Sequence, residues 1–352
     1  MTQEAFEQEV LDRLNAQLLR TPAMRQEDAV KFVFEAMLGG GYLLSSREKA
    51  AAHIAREMDE LSADPEEPLF ERLSPAWCHL NLRRAMADGI PPPVIAGMMS
   101  AGGLPFTRRD VYDCCRRLAR SGEGRVTDAA ELDRILDAHW LPSHSEAYRE
   151  QYRPAYRVVS ADWIPCRTAI ERIVRQAAGS RRLLVTLDGP CASGKTTLAA
   201  KLARVFQGQV IHTDDFVIPH ALKTPERLAV PGGNCDAERL AKEAVIPFKY
   251  GFPVKFRRYD CMKDALLPEE QLPPSQVLIL EGSYCNLPVL RQYADVRLFL
   301  DVPWEIREAR LLRRESPAAM RQFSSRWIPL ENAYFEAYGL PDAACVVIRP
   351  GK

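Results

Sequence analysis

The sequence has no surplus of either charge, because 47 Lys and Arg residues stand against 47 Asp and Glu residues. A chain without net charge has no long-range field that would attract nucleic acid or an anionic membrane surface, so we expect neither as a partner. The sequence also lacks an apolar run near the ~20 residues that cross a bilayer. Its first residues show no basic segment followed by an apolar one, so no signal peptide is expected.

The sequence also lacks a regular arrangement of cysteines. The nine cysteines form no C-x-x-C pair and show no regular spacing. An odd number without such a framework argues against a disulfide-stapled secreted protein and indicates reduced thiols, so we expect a cytoplasmic location. We find no repeat of fixed period and no low-complexity tract. A chain of 352 residues exceeds one typical core and suggests two domains.

The apolar pattern changes along the chain and separates the two domains. Residues 1–150 carry apolar side chains at helical spacing, including a helix predicted at 75–88, and are expected to form a mostly helical domain of unknown role. The composition of residues 141–165 indicates a linker. Residues 151–352 are predicted to form an α/β domain, a P-loop NTPase fold with a parallel sheet covered by helices on both faces. Its strands are predicted at 182–188, 209–213, 277–281, 296–301 and 344–348.

One helix of the first domain invites a different interpretation. Residues 107–117 include four arginines and follow a Gly-rich turn, so this helix could read DNA. Its acidic neighbours and the negative charge of the surrounding region oppose that function. A solvated helix face is the better interpretation.

The most informative motif is the octapeptide 189–196, Gly-Pro-Cys-Ala-Ser-Gly-Lys-Thr, which fits the phosphate-binding pattern G-x-x-x-x-G-K-[ST]. It lies between an apolar strand and a helix-like segment, the context in which backbone N–H groups close around phosphates. Lys195 would reach the β- and γ-phosphates, and the Thr196 hydroxyl would ligate Mg²⁺. An ordinary Gly-rich turn explains the glycines but not the Lys-Thr pair. The residues predicted to bind ATP are Gly189, Ser193, Gly194, Lys195, Thr196 and Thr197.

Cys191 lies inside this loop and has two possible roles. The field that attracts phosphate would also favour a reactive thiolate. A small residue that fills the loop is the simpler interpretation, and we prefer it.

Acidic side chains follow the neighbouring predicted strands. Asp214 and Asp215 come after the second strand, and Glu281 ends the third. Since parallel strands end at one edge of a sheet, these carboxylates should face the crevice of the phosphate loop. Phosphoryl transfer needs a held Mg²⁺ and a carboxylate that receives the proton of the acceptor, and Asp214 and Glu281 can supply both. The structural alternatives are a helix N-cap for the Asp pair and an Arg partner for Glu281.

A row of cations follows Pro303. Arg307, Arg310 and Arg314 share one face of a predicted helix and could close over a triphosphate. The alternative is a solvated face whose arginines pair with neighbouring glutamates. We slightly favour the lid.

Five motifs, taken in order, resemble the phosphoribulokinase/uridine kinase group of P-loop kinases. They are the phosphate loop, His-Thr-Asp-Asp-Phe at 212–216, Lys-Phe-Arg-Arg-Tyr-Asp at 255–260, Leu-Glu-Gly-Ser-Tyr at 280–284, and Leu-Phe-Leu-Asp at 298–301 before the Arg-rich helix. The resemblance to this uridine kinase-like group covers about residues 163–350. It does not extend to the first 150 residues.

The resemblance implies a role for each matching residue. Asp214 corresponds to the base that accepts the proton of the acceptor hydroxyl and to a magnesium partner, and Glu281 to the strand-end carboxylate that organises magnesium. Arg310, with Arg313 or Arg314, corresponds to the lid. The expected catalytic residues are Asp214, Lys195, Arg310 and Arg314, and the expected magnesium ligands are Thr196, Asp214 and Glu281. The residues expected to contact the acceptor are Asp214, Arg258, Tyr259, Asp260 and Tyr284.

The leading hypothesis is an ATP- and Mg²⁺-dependent kinase that phosphorylates a hydroxyl of a small metabolite, with a nucleoside first. No His follows Asp260, where the family contacts a pyrimidine, so uridine itself is not implied. A kinase for a sugar or vitamin alcohol shares every catalytic residue. The alternative from another class is a nucleotide-sensing P-loop regulator whose helical domain binds a partner. A homo-oligomer is left open.

Overall fold

The structure is a computed structural model that describes residues 2–40, 46–99, 106–138 and 142–350. The chain divides into two compact units, Met1–Ile164 and Pro165–Lys352. This division lies later than the predicted boundary at 150/151, because the strand Tyr156–Ser160 pairs with Trp77–Asn81 and so belongs to the first unit. The segment expected to be a linker therefore contains regular structure.

The first unit packs helices around a three-stranded antiparallel sheet with the order β1-β2-β3. Its strands are β1 (Phe70–Arg72), β2 (Trp77–Asn81) and β3 (Tyr156–Ser160). Its helices are α1 (Gln3–Arg20), α2 (Gln26–Leu38), α3 (Arg47–Asp59), α4 (Leu82–Ala87), α5 (Pro92–Met98), α6 (Arg108–Ser121), α7 (Ala129–Ala138) and α8 (Glu146–Tyr152).

The helix predicted at 75–88 is wrong over its first half. The chain forms β2 there and begins α4 only at Leu82. Trp77, Cys78 and Leu80 are buried in the sheet. A strand of five residues is too short to show a clear alternation of apolar and polar side chains. Its apolar residues, read together with those of the adjoining helix, therefore resemble the spacing of one longer helix.

Helix α2 lies at the centre of this unit. Its residues are buried from Gln26 to Met37 with the exception of Glu27 and Lys31, which are half-buried. A helix that is apolar on most of its faces must be surrounded by other elements. It nevertheless carries two buried carboxylates, Asp28 and Glu35, which need hydrogen-bonding partners in the core.

The second unit contains the predicted parallel sheet, and the α/β fold class is confirmed. Five strands run in the order β12-β11-β4-β10-β5, and each neighbouring pair is parallel. The strands are β4 (Leu183–Asp188), β5 (Gln209–His212), β10 (Val277–Glu281), β11 (Val296–Leu300) and β12 (Cys345–Ile348). All residues of the central strands β4 and β10 are buried, as continuous apolar runs predict.

Helices pack against this sheet, and a short excursion of extended chain projects from it. The helices are α9 (Arg167–Gly179), α10 (Lys195–Phe206), α11 (Pro225–Ala229), α12 (Ala237–Leu240), α13 (Ile246–Tyr250), α14 (Pro288–Arg291), α15 (Trp304–Arg314), α16 (Pro317–Gln322) and α17 (Ile328–Tyr338). The excursion consists of two antiparallel pairs, β6 (Lys255–Phe256) with β9 (Glu270–Gln271), and β7 (Tyr259–Asp260) with β8 (Ala265–Leu266). Within the described ranges, every helix is too short or too polar to cross a lipid bilayer.

Candidate phosphoryl-transfer site

The loop after β4 has the conformation that its glycines predict. Gly189 has a φ of 141°, and a Cβ there would lie 2.5 Å from the carbonyl oxygen of Leu300, so only glycine fits. Gly194 has a φ of 102° and immediately precedes Lys195, where α10 begins. The loop therefore ends at a helix N-terminus, whose free N–H groups and dipole favour an anion.

Two polar side chains of the loop are buried within it. The Lys195 ammonium donates to the carbonyl oxygens of Gly189, at 2.7 Å, and Pro190, at 3.0 Å. The Ser193 hydroxyl is buried and has no hydrogen-bonding partner within the described part of the chain. A buried hydroxyl without a partner is costly, and a phosphate oxygen would satisfy it. Thr196 and Thr197 are exposed in the first turn of α10.

A buried polar cluster that no sequence motif reveals lies beneath the loop. The Asp188 carboxylate accepts hydrogen bonds from the Gly189 N–H (2.8 Å), the Tyr334 hydroxyl (2.7 Å) and the Asn286 amide (3.2 Å). Burial raises the pKa of Asp188 to about 6. Tyr334 lies on α17, and its ring is fully buried. Its hydroxyl, however, is bonded to the base of the phosphate loop.

Glu331 is a second buried residue that no sequence motif reveals. It lies on α17, is buried, and accepts hydrogen bonds from the Cys191 N–H at 2.9 Å and from the Ser283 hydroxyl. The side chain therefore joins the phosphate loop to the loop after β10. No local pattern could reveal this, since Glu331 is 140 residues from Cys191 in the chain.

We expect Glu331→Gln to weaken ATP binding. The amide oxygen can still accept from the Cys191 N–H while the NH₂ group donates to the Ser283 hydroxyl, but the bond to the loop loses the negative charge of its acceptor. Loss of one charged hydrogen bond predicts a rise of about tenfold in the KM for ATP. Steady-state kinetics checks this, with the exposed Glu336 of the same helix, changed to Gln, as the control. Equal KM values in the two variants would contradict the anchoring role.

Cys191 is buried, and burial raises the pKa of its thiol to about 12, with Glu331 adding to the effect. The thiolate is therefore disfavoured, in agreement with a loop-filling residue. All nine cysteines are free thiols, and Cys261 is exposed.

We expect iodoacetamide at pH 8 to modify Cys261 well before Cys191. Reaction requires an accessible thiolate, which Cys191 does not supply. Peptide mass spectrometry over a time course measures both rates, and Cys261→Ser removes the fast site. Early labelling of Cys191 in native protein would contradict the structure.

The carboxyl edge of the sheet brings Thr196, His212 and Glu281 together. Glu281 is opposite His212 in the register of β10 and β5. Its Oε1 accepts hydrogen bonds from the Thr196 hydroxyl, at 3.0 Å, and from Nδ1 of His212. The bond to Glu281 raises the pKa of His212, although partial burial opposes the shift. The structural alternative gave Glu281 an Arg partner, but its charged partner here is a histidine.

Asp214 follows directly on this edge. Its side chain is exposed to solvent on one side. Desolvation by the protein packed around its other sides still raises the pKa of Asp214. Lys195 lowers the pKa of Asp214, whereas Glu281 raises it, which places Asp214 within electrostatic reach of both. A carboxylate whose pKa is raised is a better proton acceptor.

These oxygen donors fit a magnesium ion. The described residues contain no group of three or more His, Cys, Asp or Glu side chains arranged to hold a metal. Magnesium seldom needs one, because it keeps several waters and binds one or two carboxylates together with substrate phosphates. The hydroxyl of Thr196 beside the carboxylate of Glu281 provides that kind of donor set.

The three arginines predicted to share one helix face make different contacts. Nη1 of Arg310 donates to the carbonyl oxygens of Ala192 (3.0 Å) and Ser193 (2.8 Å), so this residue holds the phosphate loop. Nε of Arg307 donates to the Val302 carbonyl. Arg314 pairs instead with Glu315 at the surface, and the structure does not bring it to the loop.

The residues expected to contact an acceptor also lie in different surroundings. Arg258 pairs with Glu270, and the side chain of Asp260 caps the turn that follows it. The ring of Tyr259 is buried, and its hydroxyl donates to Asp264. Of these residues, Arg258 is within electrostatic reach of the acidic residues after β5, because its charge lowers the pKa of Asp215.

Tyr284 is placed differently, in the loop directly after β10. It is buried, has a φ of 79°, and packs edge-on against Tyr334 with ring centroids 5.0 Å apart. A non-glycine residue with positive φ marks a position that the surrounding structure holds under strain, as is frequent at functional sites. The charge of Asp214 contributes to the raised pKa of Tyr284, so the two side chains are near each other.

The strand order and the phosphate loop together decide the fold. Residues 165–352 have a P-loop NTPase fold. No family model and no curated protein matches the chain. Solved structures do resemble it. The P-loop NTPase fold is the one that the uridine kinase-like resemblance of about residues 163–350 implies.

Three such structures illustrate the likeness. A possible uridine kinase from Bacillus stearothermophilus is 21% identical, with a TM-score of 0.38, over 51% of this chain and 99% of its own. A putative fructose transport system kinase from Silicibacter sp. TM1040 is 26% identical, with a TM-score of 0.41, over 53% and 97%. A sugar kinase from Janibacter sp. HTCC2649 is 22% identical, with a TM-score of 0.27, over 48% and 85%. Because all three scores are below 0.5, strand order and loop geometry identify the fold.

Proposed function

We propose that the second unit is an ATP- and Mg²⁺-dependent phosphotransferase that acts on a hydroxyl of a small metabolite, most readily a nucleoside. The observation that supports this most is the meeting of three groups at one sheet edge. These are the loop ammonium of Lys195, the pair formed by Thr196 and Glu281, and the carboxylate of Asp214. A protein that only bound a nucleotide would not need a basic carboxylate open to solvent beside the loop.

In the proposed reaction, Asp214 accepts the proton of the acceptor hydroxyl, whose oxygen forms a bond to the γ-phosphorus. The bond between that phosphorus and the bridging oxygen of ADP breaks, and ADP leaves with the electron pair. Lys195 and Arg310 neutralise the charge that develops on the phosphates. Thr196, Glu281 and Asp214 would hold magnesium, which supplies charge neutralisation when bound. The residues proposed to bind the nucleotide are Gly189, Ser193, Gly194, Lys195, Thr196 and Thr197.

The acceptor is proposed to lie on the open side of Asp214, toward Tyr284. Two features support this placement. The strained backbone of Tyr284 follows the strand that carries Glu281, and its side chain is within electrostatic reach of Asp214. Arg258 would approach from the other side, next to Asp215. Tyr259 and Asp260 would then shape the excursion that carries Arg258 and not contact the acceptor directly.

ADP release across a panel of nucleosides, sugars and vitamin alcohols tests the proposal, with Lys195→Ala as the background. One compound that strongly stimulates ADP release by the native chain, and not by the variant, would identify both the reaction and the acceptor class. If the stimulating compound is a sugar or a vitamin alcohol, the proposed acceptor changes from a nucleoside to that class, and every proposed catalytic role stays the same. Tight ATP binding without acceptor-dependent ADP release would favour a nucleotide-sensing regulator instead.

A further inference from the structure

The first unit contains a cavity that the proposed kinase reaction does not use. It has a volume of about 130 Å³ and lies among α1, α2, β1, β2 and the segment around α8. A cavity of ~150 Å³ in another protein holds a benzene molecule, so this one has room for a small organic compound of about five heavy atoms.

Most polar groups of the cavity already have partners. Asp28 accepts hydrogen bonds from His144 at 3.1 Å and from the N–H and hydroxyl of Ser145. Glu35 is bonded to Lys31, and also to His79 and the Tyr156 hydroxyl, each at 3.1 Å. These interactions account for both buried carboxylates of α2.

Their pKa values agree with this pairing. Burial raises the pKa of Glu35, but Lys31 and His79 outweigh it and lower the value to about 2. Burial lowers the pKa of His144, although Asp28 opposes the shift, so this imidazole is neutral at pH 7. The wall of the cavity formed by α2 is therefore a fixed hydrogen-bonded network, in which Lys31 offsets the charge of Glu35 and the Asp28 carboxylate is held by neutral donors.

Glu67 is the exception among the cavity carboxylates. Its Oε2 atom is buried and has no hydrogen-bonding partner within the described residues. Its backbone carbonyl accepts from Arg84, at 3.0 Å, which fixes the segment in place. A buried carboxylate oxygen without a donor is costly, and a charged donor from a ligand would remove that cost.

Glu67 is the lining carboxylate that favours a cation. The lining carries four carboxylates, but Glu35 pairs with Lys31 and Glu71 with Arg20, so these two are already neutralised. Arg83 donates to the backbone carbonyl of Arg153 and does not pair with Glu67. An anionic ligand would have to approach an unpartnered carboxylate, which repels it.

Aromatic rings complete the wall. Tyr148 stacks on His144, with centroids 4.3 Å apart, and lies 4.8 Å from the ring of Tyr152. Phe32 and Tyr156 also line the space. Aromatic faces next to a carboxylate attract an ammonium group, through cation–π interaction and a charge-assisted hydrogen bond.

We propose that this cavity binds a small organic ammonium ion, whose charged group meets Oε2 of Glu67 and whose carbon chain lies against the tyrosine rings. The site belongs to the first unit alone and is independent of the proposed kinase function. It gives the first unit a ligand-binding role.

Three compounds of similar size and different charge test the proposal on the full chain: n-butylammonium, 1-butanol and butyrate. Ligand-observed NMR titrations give a Kd for each. We expect n-butylammonium to bind at least tenfold more tightly than 1-butanol, and butyrate to show no binding. Glu67→Gln should reduce the affinity for n-butylammonium at least tenfold, whereas Glu66→Gln, an exposed neighbour, should not change it.

The comparison of the three compounds needs only the native chain, so it stands even if Glu67→Gln is unstable. Equal affinity for n-butylammonium and 1-butanol would show an apolar cavity and overturn the proposal. Failure of n-butylammonium to bind, or unchanged binding by a folded Glu67→Gln variant, would overturn it as well. Lys195→Ala should bind n-butylammonium as the native chain does, which separates this result from the outcome of the kinase assay.

Discussion

Lys195→Ala is expected to lose phosphoryl transfer by more than about 100-fold and to stay folded. The Lys195 ammonium lies inside the phosphate loop and donates hydrogen bonds to the carbonyl oxygens of Gly189 and Pro190. A phosphate in the loop would be within reach of the same group. Its removal takes away charge stabilisation that is needed most in the transition state, so kcat should fall along with ATP affinity.

The stability cost should be small by comparison. The two carbonyl oxygens lose a donor, and such a loss typically costs about 1–3 kcal/mol. Thermal unfolding measured by circular dichroism checks folding, and acceptor-dependent ADP release checks activity. Lys201→Ala, a change further along α10, is the matched control. A Lys195→Ala variant with native turnover would remove the basis for a phosphate site in this loop.

Asp214→Asn is expected to lower kcat by about 10²- to 10⁴-fold, the usual contribution of a general base. The amide has nearly the shape of the carboxylate but cannot accept the proton of the acceptor. Because the side chain lies beside the loop and is not part of it, the Kd for ATP in the absence of magnesium should change little. The result would be a large effect on the chemical step with a small effect on nucleotide binding.

Asp215→Asn provides the matched control, since it changes the adjacent carboxylate. The pKa of Asp215 is also raised by burial, with His212 and Arg258 opposing the shift. Single-turnover kinetics at saturating ATP distinguishes the two variants. Near-native turnover of Asp214→Asn, or an equal loss in Asp215→Asn, would show that Asp214 is not the base.

The sequence is sufficient to predict the sheet and the phosphate loop, because both depend on local patterns. Continuous apolar runs mark β4 and β10, and the Gly-rich segment ends at the Lys-Thr pair that begins α10. Parallel strands then bring Glu281 to His212 and Thr196. That step follows from topology alone.

Other parts of the site depend on contacts between distant segments. The bond from the Cys191 N–H to Glu331 and that from Tyr334 to Asp188 each cross about 140 residues of chain, and no spacing rule connects such pairs. The contacts of Arg314 and Asp260 differ from the expected ones for a related reason. Each side chain has a nearer partner, Glu315 for Arg314 and the turn at residues 262–263 for Asp260, which the motif does not show.

The link between Glu331 and the phosphate loop has a consequence for biosynthesis. Four of the five strands of the sheet precede Glu331 in the chain, so a nascent polypeptide can assemble most of the sheet before α17 leaves the ribosome. The first turn of the nucleotide loop would stay unsupported until then. A ribosome-bound fragment that stops short of α17 should therefore fold without acquiring affinity for nucleotide.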